Sequence, residues 1–450
     1  MRGPNRDPRP LPSLGHREGG GGVVSPAAWV LTIGFLLLLA LGVPIVFAIG
    51  ISSVVAMWLL GIDVVMLAQR MVAGTQSFAL LAIPGFILAG DLMTAGGLSS
   101  HLINVADRLV RHVRGGLGMV SVLSSMFFAC LSGSAPATTA TVGSIMIPEM
   151  EKRGYSRRFA TSLATSVGPL GQIIPPSIPF IVWGVIAEQS ITRLFLSGVI
   201  PGVVDGLAYM VVCYFVAKRL GIPKERRASI KEVIKAAYEA KWALLAPVII
   251  LGGIYGGVFT PTEASMIAVA YALIIGLFVY KGLKPSEVLP IVWRSMRTTA
   301  VVMFIIAAAS AFCWLLAYER VPARLVGLML SISESKVVIL LLLNLMLLLI
   351  GAVMDNIAAM IILSSLLIDL GARLGIDPIQ LGPIVVINFA VGMETPPLGY
   401  SLFVGSAISG LSIEEIARGM LPFFLVDVGM LMLVTFVPPA TLWLPKLVLG

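Results

Sequence analysis

Two stretches of small, hydroxylated and proline residues interrupt long apolar segments, and no other feature restricts the fold as tightly. The first is Cys130-Leu131-Ser132-Gly133-Ser134-Ala135-Pro136-Ala137-Thr138-Thr139-Ala140-Thr141, and the second, from Gly168 to Pro179, reads GPLGQIIPPSIP. A helix broken inside hydrocarbon strands N–H and C=O groups that lipid cannot satisfy. Such breaks persist only where protein buries them or where they line a polar cavity. They are the expected resting places of a solute or an ion.

The rest of the chain supplies the hydrocarbon. It is 58% hydrophobic and only 12% charged, with a mean hydropathy of +0.99, well outside the range of soluble domains. About ten apolar stretches are long enough, or nearly so, to cross ~30 Å of bilayer core at ~1.5 Å per residue. The expected fold is an all-α polytopic membrane protein. The net charge of +8 sits in a few loops, where it reports topology rather than nucleic-acid binding. Cys130, Cys213 and Cys313 lie in apolar segments without metal-ligand spacing and read as packing thiols. His16, His101 and His112 do not cluster, and the chain has no nucleophile elbow, phosphate-binding loop or HExxH. An enzyme has no motif to rest on.

In order, residues 1–25 form a tail with Arg2, Arg6, Arg9, Arg17, four prolines and the run Gly19–Gly22, a composition that does not fold alone. The apolar run from Ala27 is followed by further spans, so it reads as an uncleaved first helix. Spans are expected at 27–43, 45–61 and 77–96, and an interfacial segment of alternating apolar and basic faces at 98–114. Two short arms on either side of the first break make a re-entrant hairpin near 117–148. Basic residues flank it on both sides: Arg108, Arg111 and Arg114 before, Lys152, Arg153, Arg157 and Arg158 after. Both ends are therefore expected in the cytoplasm. A broken span at 158–187 and a closing span at 193–217 complete a first repeat, 26–217. The connector 218–241, KRLGIPKERRASIKEVIKAAYEAK, is basic and partly an amphipathic helix. Spans at 242–257, 262–280 and 298–318 open a second repeat, 242–450. Its hairpin, near 337–370, breaks at Met354-Asp355-Asn356. Its broken span, 378–408, is interrupted by Gly392-Met393-Glu394-Thr395-Pro396-Pro397, and a last span covers 412–437.

One offset superposes the two halves. Ser134 and Asp355 are 221 residues apart, as are Gly171 and Gly392, Pro175 and Pro396, Pro176 and Pro397, Gly184 and Gly405, Gly198 and Gly419, and Pro201 and Pro422. Seven pairs without a gap, one a double proline, mark an internal repeat. The second hairpin has only Lys336 before it and Arg373 after it, one span beyond the basic loop 281–297, so it enters from the opposite face. That is the inverted-repeat plan of secondary transporters, with broken helices meeting near the midplane. Counting back from a cytoplasmic first hairpin puts the basic tail outside, against the positive-inside rule.

Six motifs, SFALLAIPGFILAGDLM (77–93), SGSAPATTATVGSIMIPEMEKRGY (132–155), GPLGQIIPPSIPFIVWG (168–184), GVFTPTEAS (257–265), MDNIAAMIIL (354–363) and NFAVGMETPPLGYSLFV (388–404), carry a resemblance from about residue 27 to the end. The chain resembles the large membrane subunit (DctM-like) of tripartite ATP-independent periplasmic, or TRAP, transporters. The resemblance implies import of a small organic acid, a C4-dicarboxylate or a related carboxylate, by sodium symport and an elevator-type motion of the part carrying the hairpins. It implies a bacterial or archaeal inner (plasma) membrane. The partners it implies are a small four-helix membrane subunit (DctQ-like) and a periplasmic substrate-binding protein (DctP-like). No cofactor is implied beyond sodium as the coupling ion. The sequence departs from the family pattern at Asn356-Ile357 and at Glu394.

Sodium takes a handful of hard oxygens, which unwound helix carbonyls, hydroxyls and a carboxylate supply. One ion site is expected from Ser132, Ser134 and Thr138 with carbonyls around Gly171, Ile174 and Pro175. A second is expected from Asp355 and Asn356 with carbonyls around Gly392, Thr395 and Pro396. Substrate contacts are expected from the same breaks, at Pro136, Thr139, Pro176, Ser177, Glu394 and Pro397, where helix N-termini present partial positive charge. The plainer role of each hydroxyl is helix packing or a bond back to the preceding turn, and that of Asp355 is a helix cap. An ionisable group inside a span is nonetheless a functional hypothesis by default. Asp91 and Glu263 sit near expected helix ends and read as caps or snorkelling groups, and Asp205 and Asp427 as packing or subunit contacts. The competing function is a self-sufficient sodium- or proton-coupled organic anion symporter or exchanger of the same fold, without a binding protein.

Overall fold

The computed structural model describes residues 25–222, 224–397 and 399–450; the basic tail, up to residue 24, lies outside the described residues. All regular structure among the described residues is helical. Phe78–Ala95, Ile191–Arg219, Pro261–Val279, Pro285–Tyr318, Asn356–Arg373 and Ile413–Phe436 are each long and apolar enough to cross a membrane. Arg157–Ile173 and Ile178–Ile186, bent by 41° at the second sequence break, make a broken span. Ile230–Glu239 and Lys241–Tyr255 form a second bent pair, at 61°, and other apolar helices are only 10–17 residues long, so fewer full-length spans form than apolar stretches suggest.

The helix boundaries follow local chemistry. The basic segment 281–297, read from sequence as a loop, is helical from Pro285 and continues unbroken to Tyr318. Proline at the first position and Glu287 two residues on, its carboxylate accepting from the Lys284 N–H at 2.9 Å, outweigh the charge that suggested a loop. The second hairpin's exit arm is longer than expected, Asn356–Arg373 rather than 357–370, because Asp355 caps its first turn. Helices Val65–Thr75, Val321–Ile332 and Pro439–Leu449 were not expected. The connector does carry its amphipathic helix, Ile230–Glu239, started by a Ser229/Glu232 capping box. Thr260 and Glu263 form another such box at Pro261–Ile274, which fits the capping role read for Glu263.

Two groups of helices pack side by side. In the outer group, Pro261–Ile274 lies along Ala82–Ala95, and Pro285–Tyr318 packs on Ile45–Leu60, Val65–Thr75 and Ala82–Ala95. Small residues let these backbones close: a Cβ on Gly85 would fall 2.2 Å from the Ser265 hydroxyl. Trp58 and Phe278, 77% and 71% exposed, point away from this group, an arrangement that lipid tolerates and water does not. The inner group holds both hairpins, both broken helices and the closing helices Ile191–Arg219 and Ile413–Phe436.

Within the inner group the 221-residue offset is visible in three dimensions. The exit arms Ala135–Lys152 and Asn356–Arg373 correspond at both ends. Pro175-Pro176 and Pro396-Pro397 both have cis peptide bonds. Gln172 and Met393, equivalent under the same offset, touch each other, the Gln172 amide donating to the Met393 sulfur at 3.2 Å. The two broken helices therefore cross where each is broken.

Candidate functional site

The first hairpin turns on Gly133, whose φ of +61° is the left-handed conformation that glycine adopts without cost. A Cβ there would also lie 2.8 Å from the Pro176 carbonyl oxygen, so the tip seats directly on the break of the neighbouring helix. The Ile178 N–H donates to the Gly133 carbonyl at 3.4 Å. Three oxygens converge beside this seat. Thr138 Oγ1 donates to the Ser134 carbonyl at 2.9 Å and lies 3.0 Å from Ser132 Oγ. Gly171 admits them, since a Cβ on it would fall 2.3 Å from Thr138 Oγ1 and 2.6 Å from the Ser134 carbonyl.

The exit arm that follows, Ala135–Lys152, begins at Ser134 without a side-chain cap. Its opening residues, Ser134, Pro136 and Ala137, face a cavity of about 590 Å³. The second hairpin reaches the same cavity through Asp355, Asn356 and Ile357, but its helix end is closed. Asp355 Oδ1 accepts from the N–H groups of Ile357 at 3.0 Å and Ala358 at 3.3 Å. Asn356 donates to Gln172 Oε1 at 3.0 Å, so one glutamine ties the second hairpin to both broken helices.

The cavity thus gathers Ser132, Ser134, Pro136, Asp355 and Asn356 from the expected set. Thr138 and Gly171 lie in the wall behind it. Ser177 is buried as the cap of Ile178–Ile186, its hydroxyl accepting from the Phe180 N–H at 3.4 Å. Thr139 is buried against Gly168, and Pro175 and Pro176 are buried beneath the first tip. The corresponding group of the second repeat does not converge on the cavity. The Thr395 hydroxyl donates to the Val391 carbonyl at 2.8 Å, Gly392 is pressed against the Gly351 backbone, and Pro396 and Pro397 are exposed outside the cavity.

Glu394 does not line the cavity either. It is 2% exposed and faces Asp427 and Asp205 of the two closing helices, with the Tyr209 hydroxyl donating to Asp427. Asp205 and Asp427, each 1% exposed, are interior groups of this chain, so the subunit-contact reading of them fails. The repeat folds both closing helices inward onto each other, which the sequence pattern of a single helix does not reveal.

Sequence reasoning also missed the opposite wall. Asp91, Thr94, Arg294 and Thr298 of the outer helices complete the cavity. Asp91 is neither a cap nor a snorkelling group: it lies inside Ala82–Ala95, where Ser295 Oγ donates to its Oδ2 at 2.6 Å. Arg294 escaped notice because its segment read as a loop. Once that segment is a helix, an arginine inside it is the kind of costly intramembrane charge that marks a site.

What this arrangement offers is a chamber between two helix groups, floored by backbone breaks and neutral hydroxyls, with three charged side chains among the described residues on its walls. Among the described residues it pairs no nucleophile with a base. Comparison with known proteins agrees. Residues 32–440 match the family model described as "Tripartite ATP-independent periplasmic transporter, DctM component". The chain is 41% identical over 408 residues to the isethionate TRAP transporter permease protein DctMQ of Oleidesulfovibrio alaskensis, covering 90% of this chain and 64% of that longer protein. It is 41% identical over 400 residues to the C4-dicarboxylate TRAP transporter large permease protein DctM of Pseudomonas aeruginosa, covering 89% of this chain and 94% of that one. Among solved structures, the Alcanivorax borkumensis YdaH transporter shares the fold, with a TM-score of 0.61 at 16% identity over 82% of this chain and 86% of that one. This is a multi-pass membrane protein and not an enzyme, and it belongs to the DctM family of TRAP transporter large permease subunits.

Proposed function

We propose that this chain is the membrane-embedded permease of a binding-protein-dependent secondary transporter in the bacterial inner membrane, importing a small organic acid by sodium symport. The observation that carries the reading is the cavity itself. It is closed on one side by both hairpin breaks and on the other by helices of the outer group, with the broken helices crossing beneath it. A chamber where one helix group faces another is what an elevator needs, since one group can slide past the other while the solute stays in contact with the hairpins.

The inverted orientation of the two repeats belongs to the same proposal. Opposite charge bias at the two hairpins supports it, and so does the contact between the equivalent residues Gln172 and Met393, as expected near a pseudo-two-fold axis. The Ser132, Ser134 and Thr138 oxygens beside Gly171 are hard, neutral donors of the kind sodium takes, and we assign the first coupling-ion site to them. Asp355 and Asn356, with carbonyls of the second break around Gly392, Thr395 and Pro396, make the weaker second candidate, because the Asp355 carboxylate is already engaged by two N–H groups and those three residues of the break do not line the cavity. The acid's own charge finds the uncapped N-terminus of Ala135–Lys152.

The partners we assign are a small membrane subunit and a periplasmic binding protein. The name of the isethionate relative, DctMQ, is consistent with a large and a small part joined in one chain. Relatives named for isethionate and for C4-dicarboxylates bracket the substrate as a small organic anion.

The test is uptake into proteoliposomes holding this protein and its small subunit, with and without the binding protein, under an inward sodium gradient or none. Uptake that requires both, and is lost in Asp355→Ala and Ser134→Ala, supports the reading. Sodium-driven uptake without a binding protein would instead establish a self-sufficient symporter, and indifference to sodium would remove both ion sites.

A further inference from the structure

The cavity wall on the outer group carries one cation, Arg294, and that cation is incompletely used. Arg294 Nε lies 3.7 Å from Asp91 Oδ2, and the arginine side chain is 63% exposed on the cavity. That separation is an ionic contact beyond hydrogen-bonding distance. Among the described residues no hydrogen bond from the Arg294 guanidinium forms. Asp91 is held differently. Its carboxylate is 30% exposed and accepts from Ser295 Oγ at 2.6 Å, and Ser295 itself is 2% exposed. The carboxylate is anchored by a hydrogen bond, and among the described residues the guanidinium beside it has none.

Across the cavity stands the hairpin tip, with the uncapped start of Ala135–Lys152. Among the described residues the only other ionisable group on the walls is Asp355, which repels an anion. A guanidinium fork matches a carboxylate or sulfonate through two parallel N–H···O bonds. Among the described residues lining the chamber, Arg294 is the one group able to make that match, and Asp91 competes for it.

We infer that Arg294 is a docking point for one acidic group of the solute, a carboxylate or a sulfonate, and that Asp91, positioned by Ser295, weakens this contact so that the solute is released. The inference rests on the transport reading above and adds to it a subsite on the outer helix group with a built-in competitor. Because the competitor is held by a hydrogen bond and the arginine only by a 3.7 Å ion pair, the guanidinium trades a loose pair with Asp91 for a bidentate pair with the solute. It reverts when the hairpins carry the solute away.

The test uses the same proteoliposomes, with isethionate, succinate and sialic acid each offered through the binding protein that delivers it. Arg294→Gln, at an exposed cavity position that leaves folding intact, raises KM by about tenfold or more, the loss of a charge-assisted bidentate contact. Arg294→Lys recovers part of that loss. Asp91→Asn shifts KM the other way, lowering it by about two- to fivefold, the worth of a partly exposed ion pair, and lowers kcat with it. Ser295→Ala moves both constants in the same direction by less. A merely structural role for Asp91 raises KM or leaves it unchanged, and that outcome overturns the competitor. Uptake that Arg294→Gln leaves unchanged overturns the subsite while the transport reading stands. If the wild-type protein takes up none of the three acids, the reading and the subsite fall together.

Discussion

The two hairpin breaks are laid out alike and finished differently. Each joins a 16- or 17-residue entry arm to an 18-residue exit arm, and the exit arms correspond at both ends. The first exit arm starts without a side-chain cap and its first turn opens on the cavity. The second starts with Asp355 bonded to two of its own N–H groups. One repeat therefore leaves a helix dipole for a guest anion, and the other spends its dipole on a resident carboxylate. The tips are closed by different means as well. Thr138 and the Ser134 carbonyl crowd Gly171 in the first repeat, whereas the second sets Gly392 against the Gly351 backbone. Duplication preserved the skeleton while the chemistry at the breaks diverged. The first is suited to a solute and an ion, the second to holding the broken helices in register through Asn356 and Gln172.

The strongest test of this likeness is steric. Gly171→Ala and Gly392→Ala each place a methyl within 3 Å of backbone atoms, and each should cost about 1–3 kcal/mol of stability. Melting of the purified protein in lipid nanodiscs measures the loss, and tolerance of one substitution but not the other would break the equivalence of the two seats. Next is the cap. Asp355→Ala removes both acceptor contacts and should destabilise by about 1–2 kcal/mol, with Asp355→Asn recovering most of it. Full stability in Asp355→Ala would mean that the second helix end is not closed by this carboxylate.

The contrast sharpens if the first break is given the chemistry of the second. Ser134→Asp supplies the missing cap, so stability should rise by about 1 kcal/mol while uptake of an organic anion falls. A variant that transports normally would exclude this helix end as the anion's seat. The smallest effect is expected at Thr138, whose equivalent in the second repeat is Ala359. Thr138→Ala removes one hydroxyl from the oxygen group and should cost about 1 kcal/mol or less. In the transport assay it should raise the sodium concentration needed for half-maximal uptake, and an unchanged sodium dependence would move the ion elsewhere.

Much of this architecture was legible beforehand because it rests on a shortage. Lipid offers backbone groups no partner, so breaks were expected within Ser132–Thr141, Gly168–Pro179 and Gly392–Pro397, and the fixed offset tied them into two repeats; the first break is narrower than expected, Gly133-Ser134 alone, because helix resumes at Ala135. Helix ends were less legible. The charge of Lys284, Arg294 and Arg297 suggested a loop, while Pro285 and Glu287 started a helix. With that segment misread, the outer wall of the cavity went unseen. Glu394 was assigned to the solute because a charge inside a break attracts such a role, yet it turns inward to the closing helices.

The amino-acid sequence alone determined that this chain is a helical membrane protein with two repeated, interrupted units, since hydropathy, glycine and proline act through local backbone physics wherever they occur. Tertiary structure decided which oxygens meet, which helix end stays open, and that Asp91 and Arg294 face the hairpins. Those relations depend on how two helix groups pack across the cavity. Residues from segments some two hundred positions apart, such as Asp91 and Ser295 at a separation of 204, become neighbours only through that packing.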